Sequence, residues 1–231
     1  MKTPSMPTVL LTGFDPFGGD TFNPSWLAAQ RLHDAVIAGH RVESLQLPTA
    51  FARAPRMLRA AIRRCRPALV ICVGLASGRD AISLERVAIN VIDARIADND
   101  GALPVDTAVV RGGPAAYFST LPIKAMYADL QAAGLSAEIS QTAGTFVCNQ
   151  VFYALMRALA RMPAPRPRGG FVHIPPVPEQ AVPVQMVPEQ APMHPGVPGM
   201  SLDEIVAGLR IAIGTALRTR GDRRIGAGAT H

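Results

Sequence analysis

The run ALVICVGL, residues 68–75, most constrains what this chain can become. Eight apolar or small residues stand in unbroken succession, with no polar alternation to mark a wet face. A strand of this kind is expected where both faces of a sheet are covered, which is the habit of parallel sheets flanked by helices. Other segments fall in around it. TVLLTGF (8–14), HRVESLQLP (40–48), ISLERVAINVID (82–93), SAEISQ (136–141) and GGFVHIP (169–175) read as strands. Between them, residues 23–39, 50–66 and 121–134, the segment from Phe146 onward, and 201–220 read as helices. Asn23 and Pro24 mark one helix start and Gly39 its stop, and Ser201 with Glu204 forms a capping box at another. Strands alternating with helices predict an α/β fold: a three-layer α/β/α sandwich around a mostly parallel twisted sheet. In such folds active sites gather at the carboxyl ends of the strands.

A length of 231 residues with 48% hydrophobic and 17% charged side chains supports a substantial core, and no linker divides it, so a single domain over 1–231 is expected. The segment 175–200 is Pro-rich, contains VPEQ twice, and is expected to be a loop near the site. Residues 221–231, in the basic stretch RTRGDRRIGAGATH, are expected to form a flexible tail. The net charge of +6 comes almost wholly from arginine spread over helix faces. No basic stretch is interleaved with aromatics, so nucleic acid is not an expected partner. No segment is long enough to span a membrane or forms the apolar core of a signal peptide. Three cysteines without paired spacing suggest neither a disulfide framework nor a zinc site, and a reducing cytoplasm fits them.

Cys148 stands out in GTFVCNQVFYAL (144–155). With Thr145 as N-cap it would fall in the first turn of a helix, where the dipole favours a thiolate and lowers the thiol pKa. The alternative is a buried structural cysteine. A nucleophile needs a base and a group to orient that base. His173 ends an apolar strand at the edge where a site is expected, although a core histidine is the competing reading. Glu85 sits among apolar strand residues and must find a partner, because burying it alone is costly. Asp93 and Arg95 could pair with each other. Phe14 and Phe17, in TGFDPFGG, could hold a flat ring between them or merely close the strand end. The glycines there lack the spacing of a phosphate loop.

Four blocks, LLTGFDPFGGDTFNPSW, VGLASGRDAISLERVAINVIDARIADNDG, TAGTFVCNQVFYALM and GGFVHIPPVPEQ, together resemble the pyroglutamyl-peptidase I (pyrrolidone-carboxylate peptidase) family of cysteine peptidases. The resemblance implies an enzyme that removes N-terminal pyroglutamate from peptides and assembles as a homo-oligomer, commonly a tetramer. It implies Cys148 as nucleophile, His173 as base and Glu85 as orienting acid. The ring pocket would take Phe14 and Phe17, with Phe146 and Val147 beside the nucleophile and Arg95 and Ile96 close by. Leu75 lies where the family usually has glutamine, and Ser77 where it has glycine. The chemistry needs no metal and no cofactor. Two other readings stand beside this one: a non-catalytic binder of pyroglutamyl peptides, or a phosphorylase or hydrolase of similar architecture.

Overall fold

The computed structural model describes residues 6–178 and 199–228. In chain order these hold β1 (Thr8–Phe14), α1 (Pro24–Arg31), β2 (Val36–Ile37), β3 (His40–Leu47), α2 (Ala54–Cys65), β4 (Leu69–Leu75) and β5 (Ile82–Glu85). There follow β6 (Val87–Ile89), β7 (Ala116–Phe118), α3 (Ile123–Ala132), β8 (Ala137–Ser140), α4 (Val147–Ala160), β9 (Arg168–Ile174) and α5 (Leu202–Arg218). Seven strands form one sheet in the order β2-β3-β1-β4-β9-β5-β8, and β6 and β7 form a separate two-stranded ribbon.

The apolar run at 68–75 takes the central place its composition demands: β4 is paired in parallel with β1 on one side and β9 on the other. Alternate residues of the strands feed two different cores. Val9, Leu11, Ile71, Val73, Leu84 and Val172 pack against α1, α3 and α5. Leu10, Phe14, Val70, Cys72 and Phe171 pack against α2 and α4. The three-layer α/β/α arrangement follows from this split. None of the described helices is long and apolar enough to cross a membrane.

The sheet is mostly parallel, with a reversal that matters. β5 runs antiparallel to β9, while β8 runs parallel to β5, so the β5–β8 pair is inverted relative to the centre. ISLERVAINVID is not one strand. It breaks at Arg86, sending 82–85 into the main sheet and 87–89 into the ribbon. The first helix is also shorter than expected. It stops at Arg31, and residues 32–35 turn instead, with Asp34 at φ 60°. Ala38 and Gly39, at φ 45° and 75°, then close a two-residue hairpin between β2 and β3, so Gly39 ends a hairpin loop and not a helix.

The chain after α5 departs from the expected flexible tail over its described part. The Asp222 carboxylate accepts from the backbone N–H of Lys124 and of Ala125 at 3.1 and 2.9 Å, capping α3. Pro122, in the N-cap position of that helix, has no side-chain acceptor to offer, so the orphan donors take their acceptor from a distant segment. Arg223 adds an ion pair to Asp129. The expected Pro-rich loop lies, over residues 179–198, outside the described residues.

Candidate active site

The α2/α4 side of the sheet carries the side chains of interest. His173, near the end of β9, has Gly74 of β4 as one register partner and Ser83 of β5 as the other. Glu85, two residues beyond Ser83, therefore shares a face with His173 as its diagonal neighbour. The two meet: His173 Nδ1 lies 2.8 Å from Glu85 Oε1. Because β5 runs back along β9, Glu85 lies deeper in the sheet than His173. It is fully buried, and His173 is 5% exposed.

Cys148 arrives from the other direction, in the first turn of α4. Its sulfur is seated over Gly74: a Cβ there would lie 3.0 Å from Cys148 Sγ and 2.9 Å from Phe171 Cζ. The hollow left by the missing side chain admits the sulfur, one strand away from the imidazole. The Phe171 ring lies 4.8 Å, centroid to centroid, from that of His173 and supports it.

Two expectations about this helix need correction. Thr145 is not its N-cap. Phe146 takes that position and makes no capping bond, while the Thr145 hydroxyl donates to Asp93 O at 2.8 Å. Asp93 N–H donates back to Thr145 O at 3.0 Å, so Thr145 is committed to clamping the helix entry to the 93 segment. The open first-turn N–H groups are consequently left without a side-chain acceptor. Nor is the thiol pKa lowered. Burial, reinforced by the negative charge of Glu85 and by Cys72, pushes Cys148 up to about 12, with Arg79 and the thiol's own backbone N–H pulling the other way. Desolvation thus outweighs the helix dipole in setting the direction of the shift, at a side chain that is half-buried and borders the cavity described next.

Above the sulfur lies a cavity of about 340 Å³. Phe14, Phe17, Leu75, Arg95, Ile96, Phe146, Cys148 and His173 all line it, as do Asn23, Thr49 and Asp93. Phe17 and Phe146 face each other at 5.3 Å, and Phe51 backs Phe146 edge-on at 5.0 Å. The segment carrying Phe17 is held by Asp15, whose carboxylate accepts from Thr49 N–H at 2.6 Å and from Asn99 Nδ2 at 3.1 Å. Val147 is the exception among the expected pocket residues. It is fully buried in the α2/α4 core and does not line the cavity, because a neighbour one residue away on a helix points about 100° aside. Asp93 and Arg95 do not pair with each other; both are exposed at the cavity edge.

Two contributors escaped the sequence reading. Asn149 is fully buried beside the nucleophile. Its Oδ1 accepts from Ile89 N–H at 3.0 Å, and its Nδ2 donates to Ile89 O and Val91 O at 2.9 Å each, which fixes the rotation of α4. A polar amide one residue after a candidate nucleophile, in an otherwise apolar helix, was the available signal. Arg79 donates to Glu85 Oε1 at 2.8 Å. Its signal was weaker, namely that a carboxylate among apolar residues needs a cation.

Residues 7–219 match the model of the pyroglutamyl peptidase family. The chain is 54% identical over 226 residues to the pyrrolidone-carboxylate peptidase of Cupriavidus taiwanensis, covering 98% of this chain and 100% of the relative. Pyrrolidone-carboxylate peptidase 1 of Ralstonia nicotianae is likewise 54% identical, with the same coverage. Among solved structures, pyroglutamyl peptidase I from Bacillus amyloliquefaciens superposes with a TM-score of 0.86 at 47% identity, covering 96% of this chain and 100% of that one. The pyrrolidone carboxyl peptidase from Thermococcus litoralis gives a TM-score of 0.88 at 34% identity, with the same coverage.

Proposed function

The chain belongs to the pyroglutamyl peptidase family and removes N-terminal pyroglutamate from peptides, and we propose that it does so with Cys148 as nucleophile, His173 as base and Glu85 as orienting acid. The observation that carries this reading is the convergence on one sheet face: an imidazole bonded at 2.8 Å to a buried carboxylate, beside a glycine hollow that seats a sulfur.

Burial raises the thiol pKa, so the first step calls on the base. His173 accepts the thiol proton as Sγ attacks the carbonyl that follows the lactam ring. Glu85, bonded to Nδ1, selects the tautomer that leaves Nε2 free to accept and then stabilises the imidazolium. The tetrahedral oxyanion is received by the uncapped first-turn N–H groups of α4, with Arg95 at the cavity edge. The imidazolium gives its proton to the leaving amine, and the C–N bond breaks to leave a thioester. Water, deprotonated by the same imidazole, then releases free pyroglutamate and the thiol.

Pyroglutamate carries no charged α-amine, so its pocket needs apolar walls and lactam hydrogen bonds instead of an acidic anchor. Phe14, Phe17, Phe146, Leu75 and Ile96 supply such walls. A prolyl residue lacks the ring carbonyl and would leave the lactam's partners unpaired, which sets the discrimination. We extend the proposal to one peptidase unit spanning the chain, working in the cytoplasm as a homo-oligomer, a tetramer by family resemblance. The unpaired thiols Cys65, Cys72 and Cys148 suit the first setting, and the exposed apolar side chains Leu103, Val105 and Phe118 suit the second.

The test is turnover of a chromogenic pyroglutamyl amide and of its prolyl counterpart by the wild type and by Cys148→Ser and Cys148→Ala. The expected result is activity on the pyroglutamyl amide alone, abolished in both variants and by a thiol alkylator. Undiminished cleavage by Cys148→Ala would refute the assignment.

A further inference from the structure

Arg79 lies in the connection between β4 and β5, does not line the cavity, and takes no part in the chemistry above. Its guanidinium nonetheless joins two parts of the site. Nη1 donates to Glu85 Oε1 at 2.8 Å, the same oxygen that meets His173 Nδ1. Nη2 donates to Thr142 O at 3.0 Å, on the loop that leads into the nucleophile helix. The second oxygen of Glu85, Oε2, is buried and finds no hydrogen-bond partner.

A carboxylate so placed cannot stay ionised without a cation beside it. The imidazole cannot be that cation, because a base that must take the thiol proton has to begin neutral. The other charged or titratable groups nearby do not fill the role. Glu138 on β8 is itself acidic, lies 3.8 Å from Arg79, and is bonded to Ser83 Oγ. Cys72 on β4 and Cys148 on α4 are sulfur groups whose pKa burial raises, and neither can carry a positive charge. Arg86, next in the chain, forms no ion pair with Glu85. Among the described residues Arg79 is thus the one permanent cation within ion-pair distance of Glu85.

We propose that Arg79 is a positioning residue for the reaction: it keeps Glu85 ionised while His173 stays neutral, and it ties that carboxylate to the loop that delivers Cys148. The role rests on the catalytic reading of Cys148, His173 and Glu85. With Arg79 in place, guanidinium, carboxylate and neutral imidazole sum to zero charge. Without it, neutrality returns in one of two ways. Either Glu85 takes a proton and ceases to orient the imidazole, or His173 takes one and ceases to be a base. Both inactive forms carry one more proton than the active form. Removing the cation therefore moves the acid limb of activity in a known direction, upward in pH. Lysine keeps the charge but is a point donor on a flexible stem, unable to hold both acceptors in one planar fork.

The experiment is kcat/KM against pH on a chromogenic pyroglutamyl amide for the wild type, R79Q, R79K and C148A, with a thermal melt of each. R79Q is expected to move the acid limb up by about one pH unit or more. R79K is expected to leave that limb at its wild-type position while kcat falls and KM changes little. An R79Q enzyme that folds and loses activity with its acid limb unmoved overturns the proposal, since a merely structural arginine would do that. So does an R79Q enzyme with wild-type activity. Should R79Q fail to fold, the R79K profile decides: a limb at the wild-type position supports the charge role, and a displaced one refutes it. The two claims separate through C148A. If it retains activity, the catalytic reading itself fails. If it is inactive while the R79Q limb stays put, only the role of Arg79 falls.

Discussion

Gly74→Ala is the sharpest probe of how the nucleophile is seated. The added methyl carbon would sit 2.9 Å from Phe171 Cζ and 3.0 Å from Cys148 Sγ. Comfortable separations for such atoms are about 3.5–4.0 Å, so each neighbour must yield by roughly 0.5–1 Å. Phe171 has little freedom, being fully buried and packed against Phe14 and Phe152. The sulfur, with the open cavity beyond it, takes most of the displacement. Overpacking of this kind costs about 1–3 kcal/mol, at about 2–4 °C in Tm per kcal/mol for a chain of this size. Catalysis should suffer far more, since a displacement of about 1 Å at a reacting atom costs on the order of 100-fold. Gly74 does not line the cavity, so the loss should fall on kcat and leave KM near its wild-type value. Steady-state kinetics on a pyroglutamyl amide, paired with calorimetry, separates the two effects. A lowered Tm with undiminished kcat would refute the reasoning, because it would mean that the sulfur has no fixed seat.

Glu85→Gln keeps the shape but removes the charge that holds the imidazolium. A fall in kcat of about 10²–10⁴-fold is expected with little change in KM, read on the same amide. The buried thiol Cys72 predicts an alkaline weakness. Its pKa in the fold is raised by burial to about 12 from 9.0, so the unfolded chain releases this proton first. The stabilising contribution is complete below about pH 9 and is lost as pH rises toward 12, the loss reaching on the order of 1 kcal/mol by pH 10. Denaturant titrations at pH 7 and pH 10 should therefore show a smaller pH dependence in Cys72→Ala, and an unchanged dependence would refute the assignment. Asp222→Ala, which uncaps α3 far from the site, should lower stability by about 1 kcal/mol without altering kcat, as checked by thermal melts and turnover.

Much of this was legible because the local rules were obeyed. The unbroken apolar run at 68–75 announced a central strand, and Ser201 with Glu204 announced the start of α5. Cys148, His173 and Glu85 stood out because each residue type was out of place in its setting. What escaped was set by partners distant in sequence. No residue in ISLE encodes whether the strand runs up or down beside β9. The apolar spacing of Leu32, Ala35 and Ile37 continues a helical pattern, although the backbone has already turned into a hairpin. Asp222 reads as part of a basic tail until the orphan amides of α3, almost 100 residues earlier, are seen to need it. The local sequence placed Cys148 at a helix mouth but could not reveal that burial outweighs the dipole there.

The inverted entry of β5 has a consequence for proton traffic. Had that strand run with its neighbours, its terminal acid would have surfaced at the rim, open to solvent and to incoming peptide. Running the other way, it ends fully buried against the ring it steadies and outside the lining of the cavity. A peptide entering the cavity therefore meets the imidazole, and the acid that anchors it is kept out of the competition.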